Sequence, residues 1–308
     1  MTVLDWAIAA FILSFAMLGR RRGPIASLVA FCGLTALALA LVWVLAAVVL
    51  NSSATEELRP EVRRSAIVRE LNRLLPPPAP LLDAIDRVDQ LPSIAGPTTP
   101  VAPPDSAIAR DPDVERAGLS VVRVLGTACG LGIEGSGWVA APGLVVTNAH
   151  VIAGEDDTSV TTQDGASIEA TPVHYDPEND LAVLSIDAAL PPLAIARDPR
   201  SGAGGAVLGY PENGPFSASP ARLGETQTAI SQDSYGNGPI RRQIAFLRGR
   251  VRSGNSGGPL VDSAGRVLGT LFASTTSGPS GGFAVPNEVV RPALTRATTA
   301  VDTGPCTG

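Results

Sequence analysis

The sequence has no lysine. All 23 basic residues are arginine, set against 29 acidic residues for a net charge of −6. The arginines are massed on no predicted helix or strand, which argues against a nucleic-acid-binding surface. Aromatic residues make up only 4% of the chain. Three cysteines are too few for a disulfide-dense scaffold, and no Cys-x-x-Cys or His/Cys pairing points to a zinc site, so neither metal nor cofactor is expected. Two histidines in 308 residues leave few choices for a general base near neutral pH. No internal repeat of fixed period occurs.

What is abundant is unevenly spread. The mean hydropathy of +0.22 comes from one end, where residues 24–50 carry no charge. That run is long enough for a tilted membrane helix. Residues 4–18 are apolar apart from Asp5 and lie near the lower limit for a span. Arg20, Arg21 and Arg22 separate the two segments and are expected to stay cytoplasmic. A cleavable signal peptide would have a shorter apolar region ending at a small-residue site. Residues 1–50 therefore read as a retained transmembrane hairpin contacting lipid through residues 4–18 and 24–50, with the remainder outside the cytoplasm.

Residues 51–116 read as a helical and Pro-rich linker. Residues 56–75 have helical periodicity, with Ile67, Leu71 and Leu74 on one stripe, until Pro76, Pro77 and Pro78 end it. Residues 81–91 form a second short helical stretch, and Pro92 to Pro104 mark an extended connection. An ordinary spacer is the plain reading; a regulatory or pro-peptide-like segment is the other.

From residue 117 to 308 the pattern changes to short strands with turn signals, and 28 of the 32 glycines fall here. The expected strands are 120–125, 136–140, 144–147, 159–162, 168–174, 181–186, 193–196, 206–209, 221–226, 243–247, 259–261, 267–272 and 282–285. So many short strands point to a pair of closed barrels or a sandwich. Residues 287–297 read as a closing helix with Asn287 as N-cap.

Three motifs carry chemistry. Ser256 lies in Gly-Asn-Ser-Gly-Gly-Pro, where flanking glycines allow the sharp turn that presents two N–H groups to an oxyanion. His150 lies in Thr-Asn-Ala-His-Val after an apolar strand, whereas His174, beside Tyr175 and Asp176, has no comparable motif and reads as structural. Asp180, in Asn-Asp-Leu-Ala-Val-Leu, sits at the mouth of an apolar strand, where a buried carboxylate can fix an imidazole tautomer. Each is weak alone; together, in the order His, Asp, Ser, they are strong.

With these motifs, and with Leu-Gly-Tyr-Pro at 208–211 and Gly-Gly-Phe-Ala-Val-Pro at 281–286, the chain resembles the trypsin-like (chymotrypsin-fold) serine proteases over roughly residues 117–300. It is most similar to the membrane-anchored periplasmic proteases of actinobacteria called MarP-type, which carry a CvpA-like helical membrane region. Two membrane segments are counted where about four would be expected. No PDZ domain is expected after residue 300, which argues against the otherwise similar HtrA proteases; an HtrA-like quality-control protease lacking a PDZ domain is the alternative.

The resemblance implies an all-β protease domain of two six-stranded antiparallel β-barrels with a C-terminal helix, behind a helical membrane anchor. It implies a serine endopeptidase acting through an acyl-enzyme on cell-envelope proteins, with a role in acid or oxidative stress. Ser256 would be the nucleophile, His150 the base and acid, Asp180 the orienter, and the N–H groups of Gly254 and Ser256 the oxyanion hole. Phe272, Ala273, Ser274 and Gly282 would wall the primary pocket. Arg250, six residues before Ser256, falls near the pocket acid of trypsin and would disfavour basic P1 side chains; the alternative is that Arg250 and Arg252 point to solvent. Asn255 replaces the aspartate that pairs with a freed N-terminus in trypsin, so activation by that ion pair is not expected.

Two further readings stay open: a catalytically silent binding or sensing module, and a membrane hairpin that is itself the functional part. Cys32 lies in the second membrane segment, leaving Cys129 and Cys306 as the expected disulfide in an oxidising compartment. Two free thiols are the alternative, since sequence supplies no distance.

Overall fold

The structure, a computed structural model, describes residues 93–94, 101–128, 131–155, 157–275 and 280–306. The expected membrane segments, the helical stretches at 56–75 and 81–91, Cys32 and Cys129 lie outside the described residues. Among the described residues no helix is long and apolar enough to cross a membrane.

Six strands close the first barrel in the order β2-β3-β4-β7-β6-β5. They are β2 (Val121–Ala128), β3 (Leu131–Ala141), β4 (Leu144–Thr147), β5 (Ser159–Thr161), β6 (Ser167–Asp176) and β7 (Leu181–Ile186). The β3–β4 hairpin turns on Pro142-Gly143, where Gly143 has φ +72, the left-handed residue that a turn with proline before it requires. β7 pairs with both β4 and β6 and is buried at five of its six residues, which is why its sequence is a continuous apolar run and not an alternating one.

The second sheet runs β1-β12-β11-β8-β9-β10-β13, and an additional β12–β13 pairing closes six of these strands into a second ring. Its members are β8 (Gly204–Gly209), β9 (Ser217–Ser231), β10 (Ile240–Gly249), β11 (Pro259–Val261), β12 (Val267–Thr275) and β13 (Gly281–Pro286). A two-residue strand, β1 (Ser93–Ile94), lies parallel on β12 with Ser93 opposite Ser274. The expected pair of six-stranded barrels is thus the fold observed.

Each barrel has its own core. Val124, Val139, Val145, Ile152 and Leu184 fill the first, and Val207, Leu223, Leu247, Leu260 and Leu271 the second. A third cluster draws on both, with Trp138 and Leu181 meeting Leu208, Phe246, Phe272 and Phe283. Trp138 Nε1 donates across to Thr270 Oγ1 at 3.1 Å. The site sits on this seam.

Three elements differ from expectation. α1 (Pro112–Gly118), capped by Asp111, straddles the linker boundary expected at residue 117, and its Val114 is fully buried in the seam cluster. Residues 193–196 make one isolated bridge, Ile195 to Val267, and no strand. Asn287 opens α3 (Asn287–Arg296) but does not cap it; Pro286 holds that place, and the Asn287 amide turns inward to donate to Ala196 O and Val267 O. A buried amide satisfied by two carbonyls outcompetes a cap that water can supply.

Glu155 follows α2 (Ala149–Ile152) and is 7% exposed. Its Oε2 accepts from Thr158 at 2.6 Å while Oε1 has no partner. Burial, with a lesser push from Asp157, raises its carboxyl from 4.5 to about 8. The folded state therefore holds a proton that the unfolded chain gives up, so stability is intact below pH ~4.5 and is lost as pH rises through about 8. The slope attributable to this group is about 1.4 kcal/mol per pH unit in that window. Glu155→Gln is expected to raise Tm at pH 8 and leave it nearly unchanged at pH 4.5, read by thermal melts of the full chain; equal shifts at both pH values would count against it.

Candidate active site

His150 lies on α2, immediately after β4, and is 3% exposed. Asp180 precedes β7 and is 1% exposed. Its carboxylate holds His150 at two points: Oδ2 lies 2.7 Å from Nδ1, and Oδ1 accepts the His150 backbone N–H at 3.0 Å. A carboxylate only accepts, so Nδ1 carries the ring proton and Nε2 is left with its lone pair. Nε2 makes no hydrogen bond.

Asp180 adopts φ +55, a left-handed backbone that needs support. Asn148, fully buried, provides it: its Nδ2 donates to Asp180 O at 2.8 Å. Arg242 on β10 is also buried, 4.3 Å above the Phe272 ring, with Nη1 donating to Glu178 O. Burial lowers its pKa, and Asp180, Asp233 and Asp176 pull it back up. Neither Asn148 nor Arg242 was singled out from sequence. Asn148 was visible inside the Thr-Asn-Ala-His motif, whereas Arg242 sits in an ordinary arginine pair.

Ser256 is 3% exposed in a turn between β10 and β11. The turn is defined by Asn255 N donating to Arg252 O, with Gly254 at φ +82 and Gly257 at φ +81. A Cβ on Gly254 would lie 2.3 Å from Tyr210 O, so glycine is required by space as well as by φ. Glu212 N donates to Ser253 O at 2.8 Å. In a trans peptide the N–H points opposite to the C=O, so the Gly254 N–H faces away from the Tyr210 loop. Among the described residues, neither Gly254 N nor Ser256 N donates to a protein acceptor. Ser256 Oγ is buried and makes no hydrogen bond, so the Ser256–His150 bond is not closed; such bonds often tighten only with substrate present.

The remaining expected residues are placed as follows. Phe272 and Ala273 are buried on β12, and Ser274 pairs with Gly282 of β13. Arg250 is exposed, one residue beyond β10. Val251 takes the inward position, and a Cβ on Gly282 would meet Val251 Cγ2 at 2.9 Å and Ala273 O at 2.5 Å. His174 pairs with Val183 in the β6–β7 ladder, away from the His150–Asp180 pair, and burial lowers its pKa. Cys306 is half of a disulfide, and Cys129 lies outside the described residues. Among the described residues no group of His, Cys, Asp and Glu could hold a metal ion.

Comparison with known proteins gives a consistent picture. The family model of the trypsin-like peptidase domain matches residues 135–269. The serine protease Rv3671c of Mycobacterium tuberculosis is 36% identical over 280 residues, covering 86% of this chain and 70% of its own length. Mouse serine protease HTRA4 is 35% identical over 168 residues, covering 51% of this chain and 33% of its own. The crystal structure of the Rv3671c protease in its active form superposes with a TM-score of 0.66 at 39% identity, covering 70% of this chain and 98% of that one. An inactive form of the same protease gives 0.58 at 38% identity, over 65% of this chain and 100% of that one.

Asn148→Ala should leave the buried Asp180 carbonyl unpaired and lower stability by about 1–3 kcal/mol. Urea midpoints of the full chain check it, and an unchanged midpoint would show that the amide does not support Asp180.

Proposed function

The chain belongs to the trypsin-like serine proteases, as a relative of Rv3671c, and from this premise we propose that it is a membrane-anchored, extracytoplasmic endopeptidase that cleaves cell-envelope proteins with Ser256, His150 and Asp180. That it is a serine endopeptidase rests on the family. The triad reading is carried by one observation: both carboxylate oxygens of Asp180 hold His150, so that Nε2 is free to take a proton.

In this mechanism Ser256 Oγ attacks the scissile carbonyl carbon as its proton passes to His150 Nε2. The oxyanion is met by the Gly254 and Ser256 N–H groups, directed by the Ser253–Gly257 turn. The C–N bond then breaks, and His150 returns the proton to the leaving amine. Water repeats the sequence on the acyl-enzyme. Activation does not use a charged N-terminus, since Asn255 offers no carboxylate; the backbone bond from Glu212 N to Ser253 O holds the turn instead.

Anchoring and export are supported by the uncharged run at residues 24–50 and the arginine triplet before it. A part in acid or oxidative stress follows from the resemblance. The Cys129–Cys306 pairing is supported by the disulfide at Cys306 and by its surroundings. A Cβ on Gly154 would lie 2.5 Å from Cys306 N, and neighbouring Glu155 bridges to Ala128, the residue before Cys129.

Specificity is read from Val251. It packs beside Ala273 and Gly282, whereas Arg250 faces water, so an apolar wall and not charge repulsion disfavours basic P1 side chains. A peptide library should show apolar P1 residues preferred; a strong Arg or Lys preference would refute the pocket assignment.

A fluorophosphonate probe should label Ser256 in the intact chain, and a silent binding module would stay unlabelled. Ser256→Ala and His150→Ala are each expected to lose about 10⁴-fold or more in kcat, and Asp180→Asn about 10⁴-fold by fixing the wrong tautomer. His174→Ala should change little. An essential His174 with a dispensable His150 would overturn the assignment.

A further inference from the structure

In the turn around Ser256 the carbonyls of residues 253 to 256 are all hydrogen-bonded. Ser253 O accepts from Glu212 N, Asn255 O from Gly258 N, and Ser256 O from Ser136 N at 2.7 Å. These three bonds come from backbone donors that no substitution short of proline removes. Gly254 O is the exception: it accepts a side-chain bond, from Ser136 Oγ at 2.6 Å.

Ser136 lies on β3, in the other barrel, and is 0% exposed. Its hydroxyl also accepts the Tyr210 N–H at 2.9 Å. The one hydroxyl proton is therefore committed to Gly254 O, and its direction is fixed. The space around it is closed, since a Cβ on Gly209 would lie 2.6 Å from Ser136 Oγ and one on Gly258 would lie 3.2 Å from Ser136 Cβ. The carbonyl of Ser136 accepts Thr147 Oγ1 at 2.9 Å, three residues before His150. One residue thus touches the serine turn, the Tyr210 loop and the strand that delivers the histidine.

We propose that Ser136 is a positioning residue for proteolysis, its buried hydroxyl fixing from the first barrel the Gly254 peptide that lies between the two oxyanion donors. The inference rests on the reading of Ser256 as nucleophile and of the Gly254 and Ser256 N–H groups as the oxyanion hole. With the hydroxyl gone, the Gly254 carbonyl has no partner, and its peptide is held only from the other side, by the Asn255 N–H on Arg252 O at 3.1 Å. Rotation of that peptide turns the planes on either side, and with them the Gly254 and Ser256 N–H groups. Ground-state binding of the P1 side chain, in the pocket walled by Val251, Ala273 and Gly282, does not pass through Ser136.

The test is Ser136→Ala in the full-length chain, assayed with a fluorogenic peptide carrying an apolar P1 residue and with the aldehyde of the same peptide. The aldehyde forms a hemiacetal whose oxygen anion occupies the oxyanion position. The expected result is a kcat lowered about 10- to 100-fold, less than the loss from removing an oxyanion donor outright. KM should stay within about twofold, and the aldehyde Ki should rise by about the factor by which kcat/KM falls. Thermal melts identify a variant that does not fold. In that event Ser136→Cys, which keeps a weak donor on the same carbon, should show a smaller change of the same pattern. An unchanged kcat and Ki, a rise in KM alone, or a fall in kcat without loss of aldehyde binding would each overturn the proposal. Failure of the nucleophile reading is separate: it would appear as turnover in Ser256→Ala.

Discussion

The seam between the two barrels is the constraint on which everything else depends. The histidine and aspartate belong to β4, α2 and β7 of the first barrel, and the serine turn to the connection from β10 to β11 of the second. Neither barrel core includes the seam cluster, which is assembled from both. Burying Trp138, Phe272 and Phe283 there sets the distance between the barrels far more strongly than any polar contact could, because large aromatic side chains contribute most to burial. Polar contacts then set the angle. Trp138 to Thr270 and Ser136 to Gly254 are directional bonds that tolerate little rotation of one barrel on the other.

Much of this was legible in the sequence because hydrophobic burial and turn chemistry are local. β4, β7 and β11 were read with the observed limits, and the Pro142-Gly143 turn that aligns β3 with β4 is written in two residues. The sequence was least informative where side-chain parity or a tertiary partner decides. Arg250 and Val251 are neighbours past the end of β10, and sequence alone does not say which of the two turns inward. Residues 193–196 have the apolar content of a strand but meet only one bridging partner. Asn287 has the residue type of an N-cap, yet two distant carbonyls claim its amide. Ser136 was read only as the first residue of a strand, for a small polar residue on a strand gives no hint that its hydroxyl reaches a turn 118 residues away.

The absence of lysine acquires a meaning once these partners are known. Among the described residues the arginines go less to ion pairs than to carbonyl oxygens. Arg123 donates to Gly214 O while lying 4.9 Å from the Tyr210 ring, Arg242 donates to Glu178 O, and Arg291 spans Ile195 O and Ala196 O. The first two each tie a loop to a barrel strand, and Arg291 ties one to α3. A guanidinium brings several donors in a fixed plane and can stack on an aromatic ring at the same time; an ammonium can do neither as well.

The same chemistry secures the segment that leads into the protease domain. Its prolines have no N–H and cannot build a ladder, but their carbonyls remain acceptors. Arg248 donates to Val101 O at 2.7 Å and Arg222 to Pro103 O at 3.1 Å, so two arginines of the second barrel hold an extended stretch that has little means of holding itself. Arg222 shares its guanidinium with Gly202 O, which couples the segment to a loop of the same barrel. Farther up the chain Ser93 and Ile94 lie parallel on Ser274 and Thr275 of β12, next to the β13 strand that carries Gly282. The described parts on either side of this connection, Ser93–Ile94 and Val101–Pro103, thus both contact the second barrel, the first of them on the strand expected to wall the primary pocket. Substituting lysine for Arg222 would keep the charge and lose the fork that reaches both carbonyls, which is why charge alone does not describe what these residues do.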